Sequence, residues 1–317
     1  MKPTSMCFGG VTVKAGEKYR GYVPLGPSGE SIPVTFINGS LPGCTVLISS
    51  GIHGSEYVGI RTAMELAREL EPEDIRGQLL IFHPVNRAAY DQKLSYINPV
   101  VGANLNRLYP GKPDGSLAER VCHYMTEEYL RRVDFLVDLH GGDLHEQTVP
   151  YVYAPGIGPE ETRKDAMDSA RLVDGCCIVL SASTSGFYNY ANICGTPAIL
   201  LERGGAGCWS REEVAACKAD VRNLLRQWNL LEGPVKIPGG TIPVLNRMTY
   251  AYSPASGSFI PFVSPGQWVK KGQLLAQIQD PFGDILETVS ARQDGLILLC
   301  WKALSVLEDE PIFIYGC

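Results

Sequence analysis

Residues 45–56 read TVLISSGIHGSE, an apolar run that leads into a turn bounded by two glycines. The run TVLISS predicts a buried strand, and the segment EYVGIRTAMELAREL (56–70) has the apolar spacing of a helix. His53 and Glu56 therefore lie between the end of a strand and the start of a helix. A His and a Glu three residues apart are a weak sign of a metal site when they stand alone. The rest of the chain strengthens it.

The first two-thirds of the chain continue this alternation of strands and helices. Further strands are predicted at 78–85, 133–140, 148–154, 176–182 and 197–203, and further helices at 116–132, near 160–173 and at about 210–229. Ser116 followed by Glu119 forms a capping box at the start of one helix. This order predicts an α/β fold in which helices cover both faces of a sheet.

The pattern changes near Gly233. The stretch GPVKIPGG (233–240) is typical of a connector, and the remaining residues are rich in Gly, Pro and short β runs without helical periodicity. We predict a catalytic α/β domain over 1–232 and a β-rich module over 233–317. The segment 256–278 is similar to the hairpin of lipoyl and biotinyl carrier modules, but the sequence around VKKG lacks the usual setting of a modified lysine.

Composition excludes several classes of function. The net charge of −6 offers no basic field for nucleic acid. No apolar run approaches the roughly 18 residues that cross a bilayer, and MKPTSMCFGG (1–10) lacks the apolar stretch of a leader. The ten cysteines form no CxxC pair, which favours a reducing compartment. We expect a cytoplasmic protein that binds a small molecule and no nucleic acid or membrane, and the sequence leaves a homo-oligomer open.

Two of the five histidines follow predicted strands directly, beside glycines: His53 in SSGIHGSE and His140 in DLHGGD. Ligand sites of open α/β sheets lie outside the carboxyl ends of the strands, so both imidazoles should face one crevice that Glu56 also reaches. Two imidazoles and one carboxylate are a common catalytic zinc set, with the fourth position left to water. We predict one Zn²⁺ per chain on these three side chains. Glu202, at the end of strand 197–203, is the candidate general base.

Five motifs occur in the order found in the succinylglutamate desuccinylase/aspartoacylase family, whose members are relatives of zinc carboxypeptidases: GIHGSEYVG (51–59), NLNRLYPG (104–111), SLAER (116–120), DLHGGD (138–143) and PAILLERGG (197–205). The resemblance implies a mixed sheet like that of the zinc carboxypeptidases and a C-terminal module that packs beside the active site. It implies a zinc-dependent hydrolase that cleaves the amide bond of an N-acyl amino acid or a similar small N-acylated amine. It also gives the zinc ligands and the general acid/base already named from the residues.

The same resemblance suggests how a substrate is held. Asn106 and Arg107 match an Asn-Arg pair that binds a substrate carboxylate in the family. A planar guanidinium suits this task because it can donate two parallel hydrogen bonds to one carboxylate.

Two positions depart from the family pattern. Asn104 stands where the family usually has an Asp, and that Asp supports a zinc-binding His in the zinc carboxypeptidases. A neutral amide can still accept the imidazole N–H, but it raises the basicity of the ligand less than a carboxylate does. Ser95 occupies the place matched to an Arg that stabilises the oxyanion, and we assign neither Arg87 nor Lys93 to replace it.

Two other functions remain open from the sequence. A metallocarboxypeptidase acting on short peptides would use the same groups, with a different position of the scissile bond relative to the carboxylate anchor. An inactive homologue that only binds metal or ligand is favoured by the departures at Asn104 and Ser95. The retention of Glu202 argues against it, because a binding protein has no need of a base.

Overall fold

The computed structural model describes residues 5–240 and 242–317, so the expectation for the N-terminal stretch falls partly on residues 1–4, outside the described residues. The strands are β1 (Met6–Phe8), β2 (Val11–Val13), β3 (Glu17–Pro24), β4 (Ser31–Asn38), β5 (Leu41–Ser50), β6 (Arg76–Pro84), β7 (Phe135–His140), β8 (Glu146–Thr148), β9 (Tyr151–Pro155), β10 (Ile178–Ser181), β11 (Ala198–Glu202), β12 (Val244–Leu245), β13 (Met248–Tyr252), β14 (Gly257–Pro261), β15 (Trp268–Val269), β16 (Leu274–Gln279), β17 (Ile285–Ser290), β18 (Gly295–Trp301), β19 (Ser305–Val306) and β20 (Pro311–Gly316). The helices are α1 (Tyr57–Glu69), α2 (Arg87–Gln92), α3 (Leu117–Glu128), α4 (Glu160–Ala170), α5 (Phe187–Ile193) and α6 (Arg211–Gln227).

A nine-stranded mixed sheet forms the centre of the molecule, in the order β12-β10-β9-β11-β7-β5-β6-β4-β3. Strand β5 pairs in parallel with β6 and β7, and β7 pairs in parallel with β11. Antiparallel pairs occur where β11 meets β9 and where β3 and β4 extend the other edge. The mixed α/β fold class predicted from the sequence is confirmed.

Helices cover both faces of this sheet because the central strands are apolar on both sides. In β5, Val46 and Ile48 belong to one buried core cluster, and Leu47 between them belongs to another. Helices α1, α4 and α6 contribute to the first cluster, and α3 and α5 contribute to the second. A strand buried on both faces reads as a continuous apolar run, which is why TVLISS could be recognised.

Element ends agree with the sequence where a capping signal is present. Helix α3 begins with the predicted capping box, in which Ser116 accepts from the Glu119 N–H and the Glu119 carboxylate accepts from the Ser116 N–H. The helix stops at Glu128, and 130–132 forms a separate 3₁₀ turn, so the predicted end at 132 was too late. The predicted strand 148–154 is divided between β8 and β9, because β8 pairs with the distant β18.

Several elements carried no clear signal in the sequence. Strands β3 and β4 at one end of the large sheet were not predicted, and neither were the short helices α2 and α5. Strand β3 lies at the end of the sheet with a largely exposed, polar sequence, EKYRGYVP, so it lacks the apolar run of a buried strand. Helix α5 has seven residues, too few to show a helical period.

The residues after 233 contain strands and no helix in the ranges that the structure describes. They form a sheet ordered β13-β20-β18-β15, which β8 joins, and a second sheet ordered β17-β16-β14-β19 around a separate apolar core. Strand β12 instead extends the large sheet beside β10. The domain boundary at 233 stays a prediction. None of the described helices combines the length and apolar character required to cross a membrane.

Candidate metal centre and active-site cavity

The turn between β5 and α1 carries His53 and Glu56 to the carboxyl edge of the sheet. Gly51 adopts a φ of +65°, and a Cβ added there would lie 2.7 Å from the Cα of Pro84. A Cβ on Gly54 would lie 2.5 Å from a backbone nitrogen of α2. Larger residues would push this turn away from the sheet edge, so the two glycines allow the close approach.

His140 and Glu202 reach the same edge from two neighbouring strands. His140 is the last residue of β7, Glu202 is the last residue of β11, and the two residues are register partners in a parallel pair. Strand β5 lies on the other side of β7, also in parallel. The strand-end argument therefore placed all four side chains correctly at one edge.

His53, Glu56 and His140 form a compact group whose ligand atoms lie within 4.8 Å of one another. The Nδ1 atom of His53 is 2.7 Å from Oε1 of Glu56, and Nδ1 of His140 is 2.9 Å from Oε2 of the same carboxylate. Across residues 5–240 and 242–317, no other group of three His, Cys, Asp or Glu side chains is arranged in this way. The group could hold a metal ion, and its nitrogen and oxygen donors are those that zinc accepts.

Asp138 contacts the His140 ring on the side away from Glu56. Its side chain is fully buried in β7, and its Oδ2 lies 3.1 Å from Nε2 of His140. A carboxylate in this position fixes the ring orientation and leaves Nδ1 of His140 facing Glu56. Burial lowers the pKa of His140, but the Glu56 and Asp138 carboxylates outweigh it and raise that pKa well above its usual value. For Glu56, burial raises the pKa, but the nearby His140 and His53 outweigh burial and lower that pKa to about 2.

The surroundings of Glu202 shift its pKa upward, in the opposite direction to the pKa of Glu56. Burial raises its pKa well above the usual value, and the nearby carboxylates of Glu56 and Glu146 add to the shift. His140 opposes the shift without cancelling it. A carboxyl group that takes up a proton this readily is suited to proton transfer near neutral pH.

These side chains open into a cavity of about 540 Å³. Part of its wall comes from the ends of the sheet strands, and part comes from α5 and the segment that precedes it. The β-rich C-terminal residues close another side, through Tyr250, Leu299, Pro311 and Ile314. The cavity has the size of small-molecule sites.

Asn104, Asn106 and Arg107 also line the cavity. The Oδ1 of Asn104 accepts the backbone N–H of Asn106 at 2.9 Å and caps the 3₁₀ turn 105–107, while the carboxylate beside His140 is that of Asp138. The Oδ1 of Asn106 accepts the N–H of the first α5 residue at 2.8 Å. The support of a metal ligand by Asn104 and the substrate roles of Asn106 and Arg107 stay predictions.

The cavity has a single Lys or Arg side chain among its described lining residues, Arg107, and no carboxylate of the described chain forms an ion pair with it. Ser95, Arg87 and Lys93 do not line the cavity. Arg87 instead lies 3.3 Å from Asp91 within its own helix. No described cation therefore takes the place of the family arginine matched to Ser95.

Glu146 and Asn189 are among the lining residues that were not found from the sequence. Glu146 begins β8, its Oε2 accepts the Asp143 N–H at 3.1 Å, and burial raises its pKa to about 7. Asn189 lies on α5, a helix that the sequence did not reveal. The only available signal for Glu146 was its place shortly after DLHGGD, and Asn189 had none.

A family model described as the succinylglutamate desuccinylase/aspartoacylase catalytic domain matches residues 42–228, more than half of the chain. The chain belongs to this family. The resemblance inferred from the five motifs is thereby confirmed, and the matched range contains the metal-capable group, Glu202 and the Asn-Arg pair. Members of the desuccinylase/aspartoacylase family are N-acyl amino acid deacylases, so membership indicates a deacylase.

Individual proteins are similar to this chain over most of its length. The N-alpha-acetyl-L-2,4-diaminobutyric acid deacetylase of Halomonas elongata is 28% identical over 274 residues, 84% of this chain and 80% of that protein. The product-bound ectoine utilization protein EutE of Ruegeria pomeroyi is 26% identical, with a TM-score of 0.85 over 94% of both chains. A family protein from Rhodobacter sphaeroides shares the fold at 24% identity, with a TM-score of 0.82 over 94% of this chain and 95% of that one.

Proposed function

We propose that this protein is a zinc-dependent amidohydrolase that removes the acyl group from an N-acyl amino acid or a similarly small N-acylated amine. The observation that carries the proposal is the His53–Glu56–His140 group in one cavity with Glu202. The family is consistent with it, and the Halomonas relative is named for the deacetylation of an N-acetyl amino acid.

The three donor side chains fit a zinc ion. They are mutually close and largely buried, and Nε2 of His53 is a buried ring nitrogen that has no hydrogen-bond partner among the described residues. His53, Glu56 and His140 would hold the ion, and Asp138 would fix the His140 ring. Zinc in such a site lowers the pKa of water and polarises a carbonyl group.

The chain's own residues would perform the remaining tasks. Glu202 would accept a proton from the attacking water and deliver it to the leaving nitrogen, which its raised pKa favours. Arg107 would hold the carboxylate of the amino acid, since no carboxylate of the described chain forms an ion pair with its guanidinium. Asn106 is fixed beside it by its bond to the start of α5. The C-terminal wall would exclude larger substrates.

The test combines metal analysis with activity. We expect about one zinc per chain in the wild type and loss of that zinc in His53→Ala, with hydrolysis of N-acetyl amino acids only by the zinc-loaded wild type. His145→Ala is the matched control, because His145 is exposed and does not line the cavity.

The outcomes separate the alternatives. Full turnover by metal-stripped protein would overturn the zinc mechanism. Release of C-terminal residues from short peptides, with no release of acetate or succinate, would show a carboxypeptidase. Zinc binding without any hydrolysis would show the inactive homologue. All ten cysteines are free thiols in the structure, which suits the proposed cytoplasmic location.

A further inference from the structure

The place of Glu202 in the cavity depends on the backbone at the end of β11. Glu202 is the last residue of that strand, and no described residue donates a hydrogen bond to its carboxylate. One further bond of the ladder follows it, from the Arg203 N–H to the His140 carbonyl at 3.1 Å. Gly204 and Gly205 come next, with φ values of +85° and +151°. A strand that ends at two glycines frays easily unless another contact holds its end.

The side chain of Arg203 supplies such a contact. It is only 8% exposed and points away from the cavity, toward α6, because successive side chains of a strand point to opposite faces. Its Nη2 donates to Oδ2 of Asp220 on α6 at 2.6 Å and to the carbonyl of Asp174 at 2.8 Å. The Asp174 N–H in turn donates to Oδ1 of Asp220 at 3.0 Å. These bonds tie the end of β11 to α6 and to the loop before β10.

Stability alone does not account for this ion pair. The desolvation of a guanidinium and a carboxylate offsets much of their attraction, and apolar replacements of buried ion pairs are often neutral or stabilising. The desolvation is visible at Asp220, where burial raises the pKa of the carboxyl although Arg203 opposes the shift. What the pair provides is a fixed geometry, because short hydrogen bonds to a charged group hold both partners in one arrangement.

We propose that Arg203 is a positioning residue for Glu202: its ion pair with Asp220 fixes the end of β11 and thereby the place of the Glu202 carboxylate beside the metal-capable group. Arg203 does not line the cavity, so its effect passes through the backbone. The same strand end is bonded to the carbonyl of His140, which makes its position relevant to both sides of the site. This inference rests on the proposed deacylase function.

A double variant, Arg203→Met/Asp220→Asn, removes the ion pair without leaving an unpaired buried charge. Asparagine keeps the shape of aspartate and an oxygen that can accept the Asp174 N–H. For the zinc-loaded variant we expect kcat on an N-acetyl amino acid to fall by roughly 10–100-fold, with KM and zinc content little changed, because a misplaced base costs rate rather than substrate binding. Lys218→Met removes ion pairs between α6 and α1 instead, and as the matched control it should keep the wild-type kcat.

Two further measurements distinguish positioning from a general structural role. In a Glu202→Gln background the double substitution should have little further effect on kcat, because Arg203 acts through the base. A general loss of structure would instead lower kcat by the same factor in both backgrounds. Arg203→Lys keeps the positive charge without the planar guanidinium, so we expect it to lose less kcat than the double variant. Should the double variant fail to fold, the same comparison of backgrounds is made with Arg203→Lys.

The anchoring of the strand end can also be measured without a substrate. Amide hydrogen exchange at 200–205 should be roughly tenfold or more faster in the double variant, as expected from the loss of a charged hydrogen bond, while β5 and β6 keep the wild-type protection.

Failure of the inference and failure of the proposed function look different. Wild-type kcat in the double variant, an equal loss in both backgrounds, or unchanged exchange at 200–205 would overturn the role of Arg203 while leaving the deacylase function standing. Absence of hydrolysis of N-acyl amino acids by the zinc-loaded wild type would overturn the proposed function. The exchange measurement would then still decide whether Arg203 holds the end of β11.

Discussion

Replacement of Glu202 by Gln tests the proposed chemistry at one atom. Glutamine has the shape of glutamate, so residue 202 of β11 can keep its register opposite His140 of β7. The change removes the ability to accept a proton, while the three metal-capable side chains remain. It therefore separates loss of the base from loss of the metal.

The magnitude follows from the role. A positioned general acid/base contributes about 10²–10⁴-fold in rate, or about 3–5 kcal/mol of transition-state stabilisation. The environment of Glu202 supports this scale, since burial and the neighbouring carboxylates raise its pKa well above that of a free glutamate. We expect kcat to fall by about 10²–10⁴-fold with KM little changed, because this interaction belongs to the transition state.

The assay is steady-state hydrolysis of an N-acetyl amino acid by zinc-loaded proteins, with zinc content measured on the same samples. Glu160→Gln removes an equal charge from an exposed site and serves as the control. A Glu202→Gln protein with about one zinc per chain and activity within tenfold of the wild type would refute the role of Glu202. Loss of zinc in this variant would instead show that Glu202 contributes to the metal site.

Three further predictions concern other parts of the chain. Arg107→Leu should lower kcat/KM for N-acyl amino acids by roughly 10–100-fold, mainly through a higher KM. N-acyl amino acid amides lack the carboxylate, so for them the variant should equal the wild type. An equal loss for both substrate types would rule out the anchor role. Burial lowers the pKa of His83 from 6.5 to about 4, so the unfolded chain takes up a proton first as the pH drops. The free energy of unfolding should then decline by about 3 kcal/mol from pH 6.5 toward pH 4. Urea titrations at several pH values should find a smaller decline in His83→Gln. An identical decline in both proteins would contradict this role of His83. Ser116→Ala removes the N-cap of α3 and should cost about 1 kcal/mol of unfolding free energy in the same measurement, whereas no change in the urea midpoint would show that the cap is dispensable.

The strand–turn–helix unit around TVLISSGIHGSE shows why much of the site could be read from the sequence. The apolar run marks a strand buried on both faces, and the spacing of α1 marks the next helix. Once a residue is known to follow a strand of an α/β sheet, its position at the carboxyl edge follows. That logic brought His53, Glu56, His140 and Glu202 to one place, and the structure agrees.

The same logic could not reach residues whose position depends on distant pairing. Glu146 enters the cavity on β8, a short strand that exists because it pairs with β18 more than 150 residues later in the chain. Asn189 lies on a helix too short to show a period, and Tyr250 comes from the β-rich C-terminal part. No local pattern marks these side chains as neighbours.

The α/β class, the order of the central elements and the metal-capable group could be predicted from the amino-acid sequence, because periodicity and strand-end placement are local properties of the chain. The folded structure was needed to show how the cavity is closed and that Asp138 contacts His140. It was also needed to show that Arg107 is the single Lys or Arg in the described wall, and that the Asn189 oxygen has no donor among the described residues. These are properties of contacts between segments far apart in the chain, and their energy depends on what each buried polar group finds beside it after folding.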